Sequence, residues 1–286
     1  MNPFPIPVVA LGAGSQPDEP PPDYLPTPGD MRTFSPPSLR EGGDPAARTL
    51  AEHALSGLLA AMQRWRFGSG DAPELDLLRL LTPVRLAINE LLGEGEVSAI
   101  ATGTPTLRIL ETVFAGVWRI VGVDGDKVVS DLVRACPVPA ELRQRALAAT
   151  MPAAAGPAPG DDVMNAPSVL AELAARAERF REGDAAHVVN LSLLPMSPAD
   201  HVHLSAALGG GSVQVLSRGY GNCRISSTAR PNTWWVQYFN SVDTVILSTI
   251  EVTALPDVVP AAEDDFADSI ERLGEWLATL RQWEER

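Results

Sequence analysis

The sequence predicts an α+β chain of two tandem related units, each a strand, a helix and an antiparallel meander with flanking helices, preceded by an extended proline-rich N-terminal segment. Three observations predict it. The stretch from Leu92 to Trp118 returns 116 residues later as Leu208 to Trp234, and sliding residues 92–129 onto 208–245 without a gap matches ten of 38 positions. Composition alone gives roughly two or three matches, so one supersecondary unit is present twice. Each copy is preceded by a segment with helical apolar spacing, and each is followed by runs rich in Val, Ile, Thr, Trp and Tyr between glycines, the composition of pleated strands. The matched pairs are Leu92/Leu208, Gly93/Gly209, Gly95/Gly211, Val97/Val213, Gly103/Gly219, Arg108/Arg224, Ile109/Ile225, Thr112/Thr228, Trp118/Trp234 and Val129/Val245. They share no potential nucleophile, base or metal ligand beyond the threonine, so what is duplicated reads as a scaffold.

Residues 1–46 hold twelve of the 26 prolines and no helical or strand period, which predicts an extended segment unable to build a core. Its bulky residues, from Tyr24 to Phe34, would suit a strap laid in a groove. The first unit spans 47–150. Leu50, Ala54, Leu58, Met62 and Trp65 recur at i+3 and i+4 and predict an amphipathic helix over 47–65. A Leu-rich strand follows at 75–81, and Thr82-Pro83 reads as an N-cap and N1 proline for a helix ending at Leu92. Strands are expected at 96–102, 106–114, 117–123 and 128–135. A linker of Ala, Pro and Gly at 151–164 separates this unit from the second, 165–286. There the same devices recur: a helix over 166–181, a strand over 188–194, a capping-box start at Ser197 leading a helix to Leu208, and strands at 212–218, 222–230, 233–239 and 244–253. An acidic turn, Glu263-Asp-Asp265, then opens a terminal helix with Phe266, Ile270, Leu273, Leu277 and Leu280 on one face.

The chain of 286 residues carries 22 Lys and Arg against 36 Asp and Glu, a net charge of −14. A field of that sign repels phosphate backbones, so no nucleic-acid partner is expected, whereas a basic peptide or protein surface fits. No apolar run reaches the length of a membrane helix, so no membrane insertion is expected. The N-terminus has no basic region and three early prolines, which reads as an uncleaved cytoplasmic chain. Two cysteines, Cys136 and Cys223, one in each unit, are too few for a disulfide framework.

No residue pattern marks a catalytic or metal centre. His201 and His203, two apart on a predicted helix, point away from each other, and no paired Cys/His spacing exists. Gly209-Gly-Gly211 follows a helix and lacks a Gly-Lys-Ser/Thr ending, so it reads as a turn. No cofactor is expected. The densest segment is Gly219-Tyr-Gly-Asn-Cys-Arg-Ile225 with Trp234-Trp-Val-Gln-Tyr-Phe-Asn240. A Cys beside an Arg can be a thiolate, but Leu107 stands at the equivalent first-unit position, which favours a small buried thiol. One of Trp234 and Trp235 must point to the opposite sheet face from the other.

These residues carry a resemblance. The Leu92–Val97 and Glu111–Arg119 stretches, Ser217–Ile225, Trp234–Ser241, Ala261–Leu273 and the N-terminal Tyr-Leu-Pro and Met-Arg-Thr-Phe segments are similar to the HupH/HyaF hydrogenase expression/formation proteins over almost the whole chain. The resemblance implies a non-enzymatic accessory protein in maturation of an uptake nickel–iron hydrogenase. It implies a chaperone for the iron–sulfur small subunit precursor before export, with other maturation proteins as further candidate partners. That precursor's twin-arginine signal is basic, which suits an acidic binder. The contact residues expected from the sequence are Glu111, Arg119, Tyr220, Asn222, Cys223, Arg224 and Trp235. The alternative is a carrier of iron or an iron–sulfur fragment in which Cys223 supplies a ligand, and a weaker third is an enzyme with an unrecognised site. One thiol is a poor ligand set, so the carrier needs a dimer or shared ligands.

Overall fold

A computed structural model describes residues 44–149, 158–219 and 221–284. The proline-rich segment up to residue 43, the first half of the 151–164 linker and Tyr220 lie outside the described residues.

The first half begins with helix α1 (Pro45–Arg64), whose first turn is capped by the Asp44 carboxylate accepting from Ala46 N at 3.0 Å. Strand β1 (Glu74–Asp76) follows, then helix α2 (Thr82–Leu92) and strands β2 (Val97–Ala101), β3 (Thr106–Glu111), β4 (Val117–Asp124) and β5 (Lys127–Ala135). Helix α3 (Ala140–Ala148) closes this half. The second half runs α4 (Ala166–Arg179), β6 (His187–Asn190), α5 (Pro198–Leu208), β7 (Gly210–Ser217), β8 (Asn222–Thr228), β9 (Thr233–Phe239), β10 (Val245–Val252) and α6 (Glu263–Glu284). The described residues form a mixed structure of six α-helices and one ten-stranded sheet in the order β1-β5-β4-β3-β2-β7-β8-β9-β10-β6, with every strand pair antiparallel.

The halves join through β2 and β7, whose exposed edges would otherwise present unpaired backbone groups. Ala99 lies opposite Val215 at the middle of that pairing, and the same two residues correspond under the 116-residue offset. The order of strands therefore reads the same outward from this pair in both directions.

Strand alternation gives the sheet two faces. One carries Ala99, Ile109, Ile120, Val215, Ile225, Val236 and both Trp118 and Trp234, packed with Leu142 and Ala146 of α3 and with Val259. This core draws on both halves. The opposite face is covered at its two ends. Helices α1, α2 and α6 bury Val117, Val133 and Ala135 at one end; α4 and α5 bury Val189, Trp235, Ile250 and Val252 at the other.

Several expectations are corrected. The strand expected at 75–81 ends after Asp76, because its Oδ1 accepts from Leu78 N at 3.0 Å and turns the chain into a 3₁₀ turn. Asn190 does the same to the strand expected at 188–194, accepting from Ser192 N at 3.0 Å. Such short polar side chains compete with the sheet ladder. Thr82 lies inside α2 rather than capping it; the cap position is Leu81, which makes no side-chain hydrogen bond. Helix α3 had no sequence expectation. The terminal helix expected to complete the second unit crosses back onto the first half, where Leu273, Leu277 and Leu280 join the α1–α2 core and Trp276 Nε1 donates to Leu91 O at 3.1 Å.

Candidate functional site

The repeated residues hold the fold. Gly93 and Gly209 end α2 and α5 with φ of 60° and 64°, the left-handed region a helix terminus assigns to glycine. A side chain at Gly95 would meet the Thr112 carbonyl oxygen at 2.3 Å, and one at Gly211 would meet the Ser227 backbone at 2.7 Å. Thr112 Oγ1 accepts from Phe114 N at 3.2 Å, as Thr228 Oγ1 accepts from Arg230 N at 3.1 Å. The fully buried Trp118 and Trp234 donate their indole N–H to Cys136 O and Thr253 O at 2.9 and 3.2 Å. Of the ten repeated pairs, Arg108/Arg224 is the charged one, and its members flank the central β2–β7 pair on the face opposite the shared core.

The residues expected to form a contact site are divided between the two faces. Glu111 and Cys223 face the shared core, whereas Arg119, Asn222, Arg224 and Trp235 belong to the opposite face. Glu111 is 9% exposed; its Oε1 accepts from Gly116 N at 3.0 Å and shapes the β3–β4 turn. Burial pushes its carboxyl up to about 7 against the lowering hydrogen bond from Gly116, with Asp265 and Glu96 adding to the rise. Cys223 is buried in the shared core. Burial pushes its thiol up to about 12 despite a hydrogen bond with Tyr238, so it is a thiol and a poor nucleophile or ligand at neutral pH. Trp235 is 3% exposed, and its Nε1 donates to Ser248 Oγ at 2.9 Å, so it is a core residue rather than an exposed anchor. Tyr220 is outside the described residues.

Arg119 and Arg224 keep a place on a surface. Pairing registers put Arg119, Leu110, Ser98, Leu216, Arg224 and Gln237 in one row across β4-β3-β2-β7-β8-β9. The next row contains Val121, Arg108, Ile100, Gln214 and Ser226. Arg119 makes a two-pronged ion pair with the buried Asp131, Nε to Oδ1 and Nη2 to Oδ2 both at 3.0 Å. Arg224 lays its guanidinium 4.3 Å above the Phe239 ring, a cation–π contact.

Over β2–β4, between the two helical layers, this face opens into a cleft of about 280 Å³ lined by Ser98, Ile100, Arg108, Leu110, Arg119 and Val121, with Val123, Val128 and Glu94 at its sides. Ser98 is 7% exposed, and its hydroxyl finds no hydrogen-bond partner among the described residues. Ordinarily a buried hydroxyl is paired. Sequence reasoning singled out Arg224 and Arg119 but not Arg108 or Ser98. The signal for Arg108 was present, since it is the repeat-mate of Arg224. No group of three or more His, Cys, Asp or Glu among the described residues is placed to hold a metal ion. No described helix is long and apolar enough to cross a membrane.

The described residues define a mixed helix-and-sheet protein with one antiparallel sheet, whose repeated residues are structural and whose open face carries an arginine-bearing cleft. Comparison with known proteins gives this architecture a family. The family model described as "HupH hydrogenase expression protein, C-terminal conserved region" matches residues 51–150 and 163–280. The chain is 46% identical to hydrogenase expression/formation protein HoxQ of Cupriavidus necator over 98% of this chain and 100% of that protein. It is 40% identical to HupH of Rhodobacter capsulatus over 97% and 98%, and 36% identical to hydrogenase-1 operon protein HyaF of Escherichia coli over 73% and 75%. The chain belongs to the HupH family of hydrogenase expression/formation proteins, and its role lies in hydrogenase maturation.

Proposed function

We propose that this chain is a non-enzymatic accessory protein that binds the immature iron–sulfur small subunit of an uptake nickel–iron hydrogenase in the cytoplasm before export. The open sheet face around Arg108, Arg119 and Arg224 is the contact surface. The observation that supports it is the contrast within the repeat: the other nine shared pairs are glycines, apolar or aromatic residues and one turn-forming threonine, while Arg108/Arg224 stands beside a cleft. Arginine over aliphatic and aromatic surface is the composition of a binding hot spot. Of the contacts expected from sequence, Arg119, Asn222 and Arg224 belong to this surface; Glu111, Cys223 and Trp235 support it from inside the fold.

The two halves are, in this reading, tandem units descended from one duplicated strand–helix–meander, and fusing their β2 and β7 edges made the shared face on which the partner docks. The arginines suit a neutral or acidic patch of the partner, so a basic export signal is met elsewhere on this acidic molecule, for example at Glu263–Asp265 where α6 starts. The carrier reading loses support because Cys223 is enclosed and protonated.

Co-purification tests the proposal. The full chain, recovered from cells making the hydrogenase, is expected to bring down the small-subunit precursor both with and without its signal peptide. The double variant R108E/R224E, with unchanged circular dichroism and unfolding midpoint, is expected to lose at least ten-fold of that yield. Absence of the precursor from the wild-type pull-down removes the reading; undiminished capture by the double variant moves the contact off this face.

A further inference from the structure

Resting on the reading of the open sheet face as the place where the partner docks, we propose that the β2–β4 cleft is a socket for one aromatic side chain of that partner. The occupant is a tryptophan or tyrosine whose ring lies over Leu110 against the Arg119 guanidinium and whose N–H or O–H reaches the Ser98 hydroxyl.

Size, charge and polarity of the cleft each select this occupant. Its volume is about 280 Å³, under the roughly 300–1,000 Å³ of pockets that enclose a drug-sized ligand, which leaves room for one large side chain. Its lining is mainly aliphatic, with Ile100, Leu110, Val121 and Val123. The cleft holds no unopposed charge from its arginines: Arg119 is matched by Asp131 in the two-pronged pair, and Arg108 is engaged within the fold. A neutral ring fits there, where a carboxylate would gain little. The ion pair fixes the plane of the Arg119 guanidinium, whose side chain stays 30% exposed, and a guanidinium with its N–H edge taken still offers its flat face to an aromatic ring. Ser98 adds a polar requirement. It is 7% exposed, lines the cleft, and its hydroxyl has no partner among the described residues; a ring with a donor at its edge satisfies what the fold leaves open. Pairing sets Arg119, Leu110 and Ser98 opposite one another on three adjacent strands, about 10 Å from first to last, a span in which one ring above Leu110 meets both ends.

The second half completes the same chemistry within the chain. At the place equivalent to Arg119 it carries Trp235, which packs on this sheet face with α4 and α5 and donates its indole N–H to the Ser248 hydroxyl at 2.9 Å. An indole and a serine close the face there. The first half has a serine, on a different strand, and lacks the ring, which the partner brings.

Titration of the full chain with N-acetyl-L-tryptophanamide, followed through the methyl NMR signals of Ile100, Leu110 and Val121, tests this. The expected result is saturable shifts centred on those methyls, with a millimolar dissociation constant. N-acetyl-L-leucinamide and the 1-methylindole form of the probe are each expected to bind about five-fold more weakly, the second because it has lost its donor. Ser98→Ala, with an unchanged unfolding midpoint, is expected to bind the tryptophan probe about five-fold more weakly and to stop distinguishing it from its 1-methyl form. No saturable shift at these methyls overturns the proposal. Equal binding of the leucine probe overturns it in favour of an aliphatic anchor, and indifference of the wild type to indole methylation overturns the role of Ser98 even where the alanine variant does not fold. The titration needs no hydrogenase subunit. Its failure beside a pull-down that captures the precursor removes the aromatic anchor and leaves the docking face; its success beside an empty pull-down removes the partner and leaves the socket.

Discussion

Arg119 and Trp235 stand at equivalent places in the two halves, 116 residues apart on the fourth and ninth strands, and they meet opposite environments. Trp235 lies under α4 and α5 and closes its end of the sheet, while Arg119 turns to the buried Asp131 at the margin of an open cleft. The helix beside each differs in the same sense. Helix α5 begins with a full capping box, and its Asp200 also reaches across to α4: Oδ1 accepts from the backbone N–H of Met164, Asn165 and Ala166 at 2.8–2.9 Å. Helix α2 begins at Leu81 with no side-chain cap. One scaffold therefore carries a sealed half and an open one. The difference lies in residues that project from the sheet rather than in those that form it.

If that contrast is right, the sealed half should be the more sensitive to truncation. Trp235→Ala removes a buried aromatic and strands the Ser248 hydroxyl, and is expected to cost about 4 kcal/mol. Arg119→Ala, at the equivalent place, is expected to cost about 2 kcal/mol. That is below the usual penalty for breaking a buried ion pair, because the Arg119 side chain is 30% exposed. Urea midpoints of the two variants decide the matter, and equal costs would remove the distinction between sealed and open ends.

Between these effects lies the tether of α4. Burial works against ionisation of Asp200, but backbone and hydroxyl hydrogen bonds from Ala166, Ser197 and Asn165 outweigh it and hold the carboxyl well below the usual range. Asp200→Ala is expected to cost about 3 kcal/mol. The sign of its pH dependence follows from a depressed folded-state value: the stabilisation is complete above about pH 4 and is lost as the pH falls through the folded-state value. Hydrogen exchange should show residues 164–180 opening first in the variant. Uniform loss of protection over both halves would show that Asp200 holds no local unit.

The strands were legible in the sequence because alternation and glycine punctuation are local, and most observed bounds fall within two residues of those expected. Asp76 and Asn190 cut their strands short through hydrogen bonds to the next turn, a competition that periodicity does not register. Helix α3 offers Leu142 and Ala146 as its buried apolar residues, too few for a period, and α6 lies on the first half for reasons of long-range packing. The site was less legible. Cys223 and Arg224 are neighbours on a strand, so alternation alone separates them. That Glu111 and Arg119 lie on opposite faces depends on the register of β3 with β4, which no local pattern states.

The smallest effect belongs to Glu111, whose equivalent in the second half is Ser227, also buried but without a charge to lose. Because burial raises the Glu111 value from 4.5 to about 7, the folded chain binds more protons than the unfolded one between those limits, and its stability falls as the pH rises through them. Two and a half units set a ceiling of about 3 kcal/mol, and relaxation around a group near the surface leaves about 1 to 2. Glu111→Gln keeps an oxygen to accept from Gly116 N and removes the charge. It is therefore expected to match the wild type at pH 4.5 and to exceed it by about 1 to 2 kcal/mol at pH 8, read from urea midpoints at the two values. A variant that tracks the wild type at both would mean that Glu111 is as silent as Ser227, and the two halves would then differ only on their outer face.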